Sequence, residues 1–169
     1  PEPVDADCLN PVVSKEGFVL FETNSNEMDQ TTSEYPLSPP SQIYLFEPFM
    51  SQYEVVSVST SGIPGRNGSS TSPAISQNGR HVSFLSSASN FSDLADGNMV
   101  QVFLRDRTTG KTSLISASTG EGPAGNSHQQ HPRNTESGGV VFSSDSTNLI
   151  HGDVNAARDV YFRYRDSKP

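Results

Sequence analysis

The chain lacks tryptophan and has one cysteine, Cys8, among its 169 residues. A lone cysteine excludes an internal disulfide and a metal site built from several thiolates. We expect Cys8 to be a small buried or half-buried side chain, with an intermolecular disulfide or a reactive thiol as the alternatives. Long apolar runs and basic amphipathic helices are also missing, which predicts no membrane insertion.

Positive charge is scarce as well, because 11 lysine and arginine residues stand against 19 acidic ones, for a net charge of −8. Nucleic-acid phosphates would be repelled by such a chain, which argues against nucleic acid as a partner. Apolar residues make up only 32%, whereas glycine and proline number 13 and 12. That balance is typical of short strands joined by many turns, and the length predicts one domain.

The chain begins at Pro1, without a methionine or a signal segment, so we expect a processed or excised product. Its many serine, threonine, asparagine and glutamine side chains, with few lysines, fit an exported bacterial protein. We therefore expect an extracellular or periplasmic location, with the bacterial cell surface included.

The stretch Ser72–Thr119 is predicted to be one complete four-stranded meander. Apolar residues alternate with polar ones, and clusters of glycine, asparagine, aspartate and serine separate the alternating segments. This period of two is typical of half-buried antiparallel strands, and no window keeps helical spacing. The four predicted strands are Ser72–Ser76, His81–Ser86, Val100–Asp106 and Thr112–Ser118.

The same unit recurs on both sides of this stretch. Phe21, Phe84 and Phe142 are 63 and 58 residues apart, and the third strand recurs as QIYLF at Gln42, QVFLR at Gln101 and DVYFR at Asp159. Four strands in each period are typical of radial or stacked β-repeats.

Four motifs carry a family resemblance: S-P-x-I-S at Ser72–Ser76, N-G-R-x-V-x-F at Asn78–Phe84, R-D-R-x-T-G-K-T at Arg105–Thr112, and N-L-x-x-G-D-x-N-x-x-x-D-V-Y-F-R at Asn148–Arg163. Together they resemble the TolB-type (WD-like) β-propeller repeat of bacterial extracytoplasmic proteins, over about residues 10–166. The first unit departs from the pattern, since Glu47–Met50 replaces the R-D-x-x-T-G turn. The resemblance implies an all-β fold but no particular activity, because propellers host many unrelated functions.

The predicted fold is therefore all-β, with three four-stranded antiparallel propeller-type blades of which the third lacks its own outer strand. Residues 1–9 are predicted to be a spare N-terminal strand, and the first blade's own strands to begin at Pro11. The blades are predicted at residues 10–72, with a long Ser/Pro-rich loop at 24–41, at 73–131, and at 132–169.

The incomplete third blade suggests a mode of assembly. Its last strand, DVYFRYR, would leave an unpaired edge, and such edges are normally covered. Three blades are also fewer than the four to eight that close a ring, so the chain is a fragment, shares a ring with other chains, or stacks openly. In the last two cases the N-terminal segment of one copy (Val4, Ala6, Cys8) would add to the third blade of the next (Val160, Phe162, Tyr164). Head-to-tail contacts of this kind give a ring or a filament.

Two further kinds of site have sequence candidates. Asp153, Asn155 and Asp159 place oxygen ligands at a spacing that suits calcium, and capping of a tight turn is the alternative. No other cofactor is expected. Asn67 and Asn90 lie in N-x-S patterns and are candidates for glycan attachment.

The remaining patterns favour a protein that is not an enzyme. No G-x-S-x-G nucleophile elbow is present, and no serine has an identifiable base partner. The strand aromatics are expected to pack between blades, with a glycan-binding platform as the alternative for the outward-facing ones; these residues are Tyr44, Phe46, Phe103, Tyr161 and Phe162.

Overall fold

The computed structural model describes residues 6–25, 40–65, 67–118, 122–155 and 157–164. Within these ranges the secondary structure is β throughout, apart from one turn of 3-10 helix at Ser89–Phe91. The strands are β1 (Cys8–Val13), β2 (Val19–Thr23), β3 (Gln42–Glu47), β4 (Gln52–Val55), β5 (Ser70–Ile75), β6 (His81–Ser86), β7 (Gln101–Asp106), β8 (Lys111–Leu114), β9 (Gln129–Asn134), β10 (Gly139–Ser144) and β11 (Asp159–Tyr164).

These strands form three antiparallel meanders. The first sheet has the order β1-β2-β3-β4, the second β5-β6-β7-β8, and the third, within the part of the chain described, β9-β10-β11. The all-β prediction and the count of four, four and three strands are confirmed. The loop predicted at 24–41 falls largely outside the described residues.

The first strand of every sheet begins earlier than predicted. Each contains a β-bulge centred on a residue with positive φ that precedes a proline, namely Asn10 (φ 50°), Ser72 (φ 54°) and His131 (φ 54°). Proline lacks an N–H, so a bulge is one of the few places where a strand tolerates it. The predicted starts at Pro11, Ser72 and Pro132 lie at a proline or one residue before it, whereas β1, β5 and β9 each begin three residues before that proline and run through it.

The start of β1 also differs from the predicted N-terminal segment. Cys8 and Leu9 are the first residues of β1 and pair with Thr23 and Glu22 of β2. The prediction that residues 1–9 form a spare strand is therefore wrong for its last two residues, which belong to the first sheet.

The core consists of two layers of side chains, one on each face of the second sheet. Because residues of a strand alternate between faces, β6 and β7 supply both layers. In the first layer, side chains from the first repeat pack against Val82, Phe84 and Phe103 of the second sheet; they are Leu20, Ile43, Leu45 and Val56. In the other layer, side chains from the second repeat pack against Val140, Phe142, Leu149 and Tyr161 of the third repeat; they are Leu85, Val102, Leu104 and Ile115. Full burial of each large apolar side chain contributes about 1.5–3 kcal/mol.

The turns between the first two strands interlock neighbouring sheets. Gly79 has a φ of +73°, and a Cβ there would overlap the ring of Phe18 in the preceding sheet. Gly138 lies in the same way against His81, where a Cβ would be 3.1 Å from Nε2. Each of these turns therefore needs glycine both for its backbone angle and for its close approach to the sheet before it.

A candidate assembly site at the third sheet

The strand β11 is the outermost strand of the third sheet among the residues described. It pairs along its whole length with β10, from Ser144–Asp159 to Gly139–Tyr164. Its counterparts β3 and β7 have a second neighbour on the other side, β4 and β8. The structure thus describes a strand partner for β11 on one edge only.

One face of β11 is apolar and exposed. Val160 is 74% exposed and Phe162 49% exposed, and Val141, which pairs with Phe162 on β10, is 37% exposed. Tyr161, between them in sequence, points to the opposite face, where its ring stacks on Phe142 at 5.5 Å between centroids. The predicted residues Val160, Phe162 and Tyr164 do share a face, and the rings of the last two meet edge to face at 5.0 Å.

The corresponding positions of the other sheets are buried. Val102 and Leu104 have the same register relative to β6 as Val160 and Phe162 have to β10, and both are fully buried against the third sheet. Ile43 and Leu45 are likewise buried against the second sheet. The exposed row on β11 is therefore the third copy of a row that elsewhere forms the contact between sheets.

The N-terminal residues predicted to join this surface do not lie there in this chain. Val4 is outside the described residues, and Ala6 is half-buried just before β1. Cys8 is exposed at the start of β1 in the first sheet, so the expectation that it is buried was also wrong. It lies at the start of β1, which is an outer strand of its sheet.

A buried polar node holds β3 and β7 to the segments that follow them. Gln101 donates from Nε2 to the Gly125 carbonyl at 2.8 Å and accepts at Oε1 from the Ser116 hydroxyl at 2.6 Å. Ser116 Oγ in turn accepts the N–H of Val102 at 2.9 Å. Gln42, Ser57 and Gly65 repeat this node in the first sheet, whereas the third sheet has Asp159 at the glutamine position.

Two of the three candidate calcium ligands, Asp153 and Asn155, accept hydrogen bonds from protein groups. Asp153 accepts a hydrogen bond from the Tyr161 hydroxyl at 3.1 Å, and Asn155 Oδ1 accepts the N–H of Ala157 at 2.9 Å, as in a turn cap. Burial, followed by the bond to Asp153, raises the pKa of Tyr161 to about 12. Asp159 lies in β11 opposite Ser144. No cluster of three or more His, Cys, Asp or Glu side chains suited to a metal occurs in the described ranges, and the calcium site stays a prediction.

The loop between β10 and β11, which includes Asp153 and Asn155, also contains an ion pair that the sequence did not indicate. Arg158 binds Asp145 through two hydrogen bonds of 3.0 and 2.8 Å. These bonds lower the pKa of Asp145 and raise that of Arg158.

The two candidate glycosylation sites bind neighbouring loops. Asn67 Nδ2 donates to Ser89 Oγ at 2.5 Å, and Asn67 Oδ1 accepts the N–H of Ser89 at 3.1 Å. Asn90 Nδ2 donates to the Pro64 carbonyl at 2.9 Å. Both side chains therefore already use their amide nitrogens, the atoms to which a glycan would be attached.

The next repeat makes the same bonds without an N-x-S pattern. Asn126 exchanges hydrogen bonds with Thr147 at 3.1 and 3.0 Å, and Asn148 Nδ2 donates to the Ala124 carbonyl at 2.8 Å. In both repeats, therefore, the asparagines at these positions hold neighbouring loops together through hydrogen bonds. Glycan attachment at Asn67 and Asn90 stays a prediction.

No protein-family model and no curated protein matches the chain. Among solved structures, the chain is similar to TolB from Acinetobacter baumannii, with a TM-score of 0.50 and 18% sequence identity. The fold is TolB-like. The similarity covers 93% of this chain but 29% of that TolB chain, so the chain spans under a third of the protein that it resembles. At this identity the likeness shows the fold alone.

In the described residues, no helix has the length and apolar character needed to cross a membrane.

Proposed function

We propose that the chain is a non-enzymatic structural or interaction module of the β-propeller type, located outside the cytoplasm, that assembles head to tail through its third sheet. The observation that carries this proposal is the exposed row on β11, since equivalent rows elsewhere are buried between sheets. Apolar patches of this kind mark interaction sites when polar residues surround them. The outcome is a ring or a filament, depending on whether the rotation between copies closes.

The edge of β11 supports the same proposal. A strand supplied by another molecule would add to it through main-chain hydrogen bonds, with alternate side chains setting the register. The N-terminal segment stays the proposed donor in a narrower form. Cys8 and Leu9 are already paired in β1, so the donor is the segment up to Ala6, which includes Val4.

The mass of the chain in solution tests assembly. We expect light scattering after size exclusion to show species larger than one chain. The measurement covers low to high micromolar concentrations and includes a reductant, which prevents disulfide formation by Cys8. A single-chain mass at every concentration would overturn the proposal. Deletion of residues 1–5 separately tests the donor role, and unchanged assembly after that deletion would exclude it.

A second candidate function has its own supporting observation. Because the chain covers only 29% of the TolB chain, it is also suited to be one part of a larger propeller. The next unit of the same polypeptide would then cover β11, and the long loops would bind a peptide, a glycan or an envelope partner. A stable single-chain mass favours this alternative.

We also propose calcium binding at Asp153, Asn155 and Asp159. Saturating calcium stabilises a folded protein by RT ln(1 + [L]/Kd), which is about 2.7 kcal/mol at 100 times Kd. Calcium, but not the same concentration of magnesium, is expected to raise the melting temperature by several degrees. The variant Asp153→Asn should lose this response, and an unresponsive native chain would exclude the site.

A further inference from the structure

We infer that Glu22 is the centre of a binding site for a primary ammonium group, between the first strands of the first and second sheets. The site is separate from the third sheet and does not depend on the proposed assembly. Glu22 lies in β2 and is only 5% exposed. An acidic side chain with so little exposure needs a physical explanation, because charged groups are seldom buried without a partner.

The described residues contain two buried carboxylates, and these differ in their partners. Asp106 binds the guanidinium of Arg80 through two hydrogen bonds of 3.0 and 2.8 Å. Glu22 accepts hydrogen bonds from Asn10 Nδ2 at 2.7 Å and from the backbone N–H of Ser72 at 2.6 Å, both of them neutral groups. No lysine, arginine or histidine of the described ranges comes within salt-bridge distance of Glu22.

The two hydrogen bonds of Glu22 also end on the same oxygen. Because Oε1 accepts both, Oε2 has no hydrogen-bond partner among the residues described. An ionised carboxylate offers about four lone-pair sites. Buried charges in proteins are normally paired or bound to a metal, since an isolated one is costly to remove from water. Glu22 therefore has one oxygen and one charge available for a cation.

The fold itself does not require a carboxylate at this position. The corresponding residues of the other two sheets, by strand register, are Leu85 and Ser143. Leu85 packs in the apolar core between the second and third sheets. A neutral side chain thus fits the position in both other repeats, and the charge of Glu22 is not explained by packing.

Two further acceptors belong to the residues that bind Glu22. Asn10 and Ser72 are the bulge residues of β1 and β5, with φ angles of 50° and 54°. Neither Asn10 Oδ1 nor Ser72 Oγ has a hydrogen-bond partner in the described part of the chain. Asn10 is exposed on an outer strand, so the carboxylate lies just beneath the surface and is within reach of a small ligand.

This set of acceptors favours a primary ammonium over other cations. Calcium takes six to eight oxygen ligands, whereas the described ranges contain no group of three or more His, Cys, Asp or Glu side chains suited to a metal. A guanidinium prefers to bind both oxygens of a carboxylate, and Oε1 of Glu22 already accepts two bonds. A primary ammonium is compact, has one charge and carries three N–H donors.

The backbone amide of Ser72 provides a local readout, because it donates to Glu22. We expect methylammonium chloride to shift the NMR signal of this amide in a saturable way. A dissociation constant in roughly the millimolar range is expected for a ligand of so few atoms. Tetramethylammonium has the same charge but no N–H donor, and at equal ionic strength it should produce no saturable shift. Equal responses to the two ions would overturn the inference.

The variant Glu22→Gln removes the charge and keeps the shape of the side chain. It should raise the dissociation constant of methylammonium by roughly 10-fold or more, since a hydrogen bond to a charged group is lost. Glu47→Gln is the matched control, because it removes the same charge at the opposite end of β3 and should leave the affinity unchanged. Native affinity in Glu22→Gln would overturn the inference. If that variant fails to fold, the comparison of the two ions on the native chain decides.

Primary ammonium groups occur in lysine side chains and in free α-amino groups, and two probes distinguish these sources. Nα-acetyl-lysine methylamide carries only the side-chain ammonium, and glycine methylamide only the α-ammonium. The tighter of the two assigns the source, and both should lose affinity in Glu22→Gln. Calcium is the remaining comparison. A saturable shift of the Ser72 amide with calcium but not with methylammonium would show a metal site and overturn the assignment to an ammonium.

Discussion

The second and third sheets have the same strand pattern but different surroundings. The second sheet packs on both faces and has all four strands, whereas the third, as described, packs on one face and has three. Leu104 and Phe162 have equivalent register positions, yet Leu104 is fully buried and Phe162 half-exposed. An alternating strand pattern therefore specifies which residues share a face, while the neighbouring sheet decides whether that face is buried. Replacing equivalent residues in the two sheets tests this difference directly.

The largest effect is expected from the apolar rows. Leu104→Ala leaves a cavity between two sheets and should lower the free energy of unfolding by about 2–5 kcal/mol. Phe162→Ala, measured by urea unfolding at concentrations where the chain is single, should cost less than about 1 kcal/mol because its side chain is already half in water. Equal losses at the two positions would mean that the exposed row on β11 is covered within one chain.

The buried polar node should give the next largest effect. Ser116→Ala removes the acceptor for the Val102 N–H and the donor to Gln101, and leaves both groups buried. Unsatisfied groups of this kind cost about 1–3 kcal/mol. Asp159→Ala at the equivalent glutamine position of the third sheet should change urea unfolding by less than about 0.5 kcal/mol. A loss there as large as that of Ser116→Ala would indicate that Asp159 has its own node.

Alkaline pH should weaken the third sheet selectively. The pKa of Tyr161 is raised to about 12 in the folded protein, from the usual 10.0 of the unfolded chain. A raised pKa means that the folded state holds the proton more tightly. The stabilisation that Tyr161 contributes through its bound proton is therefore complete below pH 10 and is lost as the pH rises towards 12. Titration of tyrosine absorbance should show one late-titrating residue that disappears in Tyr161→Phe, and its persistence in that variant would assign the shift elsewhere.

The smallest effect is expected from the loop asparagines. Asn67→Ala and Asn126→Ala remove the same pair of hydrogen bonds from successive repeats and should each lower the melting temperature slightly, for a loss of about 0.5–1.5 kcal/mol. Similar losses would support a structural role at both positions. A loss at Asn67 alone in material carrying sugar, detected by mass spectrometry, would instead favour glycan attachment.

Much of the fold follows from periodicity alone. The alternation of β6 and β7, and its recurrence about every 60 residues, predicted three sheets and placed Val160, Phe162 and Tyr164 on one face. The first strands were less predictable, because their predicted starts at Pro11, Ser72 and Pro132 lie at a proline or next to one. The positive φ of the preceding residue lets each strand pass through its proline. Asparagine and histidine adopt that angle more often than most residues, so Asn10 and His131 carry a weak signal for it, whereas Ser72 carries none.

The polar contacts could not be read from the sequence. The node of Gln101 joins residues 15 and 24 positions apart, and the loop bonds of Asn67 span 22 positions. Alternation reports which face a residue occupies but not which distant loop it meets. Comparison of the repeats does indicate the node, because Gln42 and Ser57 have the same spacing as Gln101 and Ser116.

The interlocking turns also bear on the order in which the molecule opens. Among the described residues, the second sheet contacts the first and the third through two separate core layers and through the turns at Gly79 and Gly138, so each outer sheet can detach without breaking the other contact. Amide protons of the second sheet should exchange most slowly with deuterated solvent, because their exposure requires both contacts to break. A chain held in a closed ring would have no outer sheet, and this gradient of exchange rates would disappear.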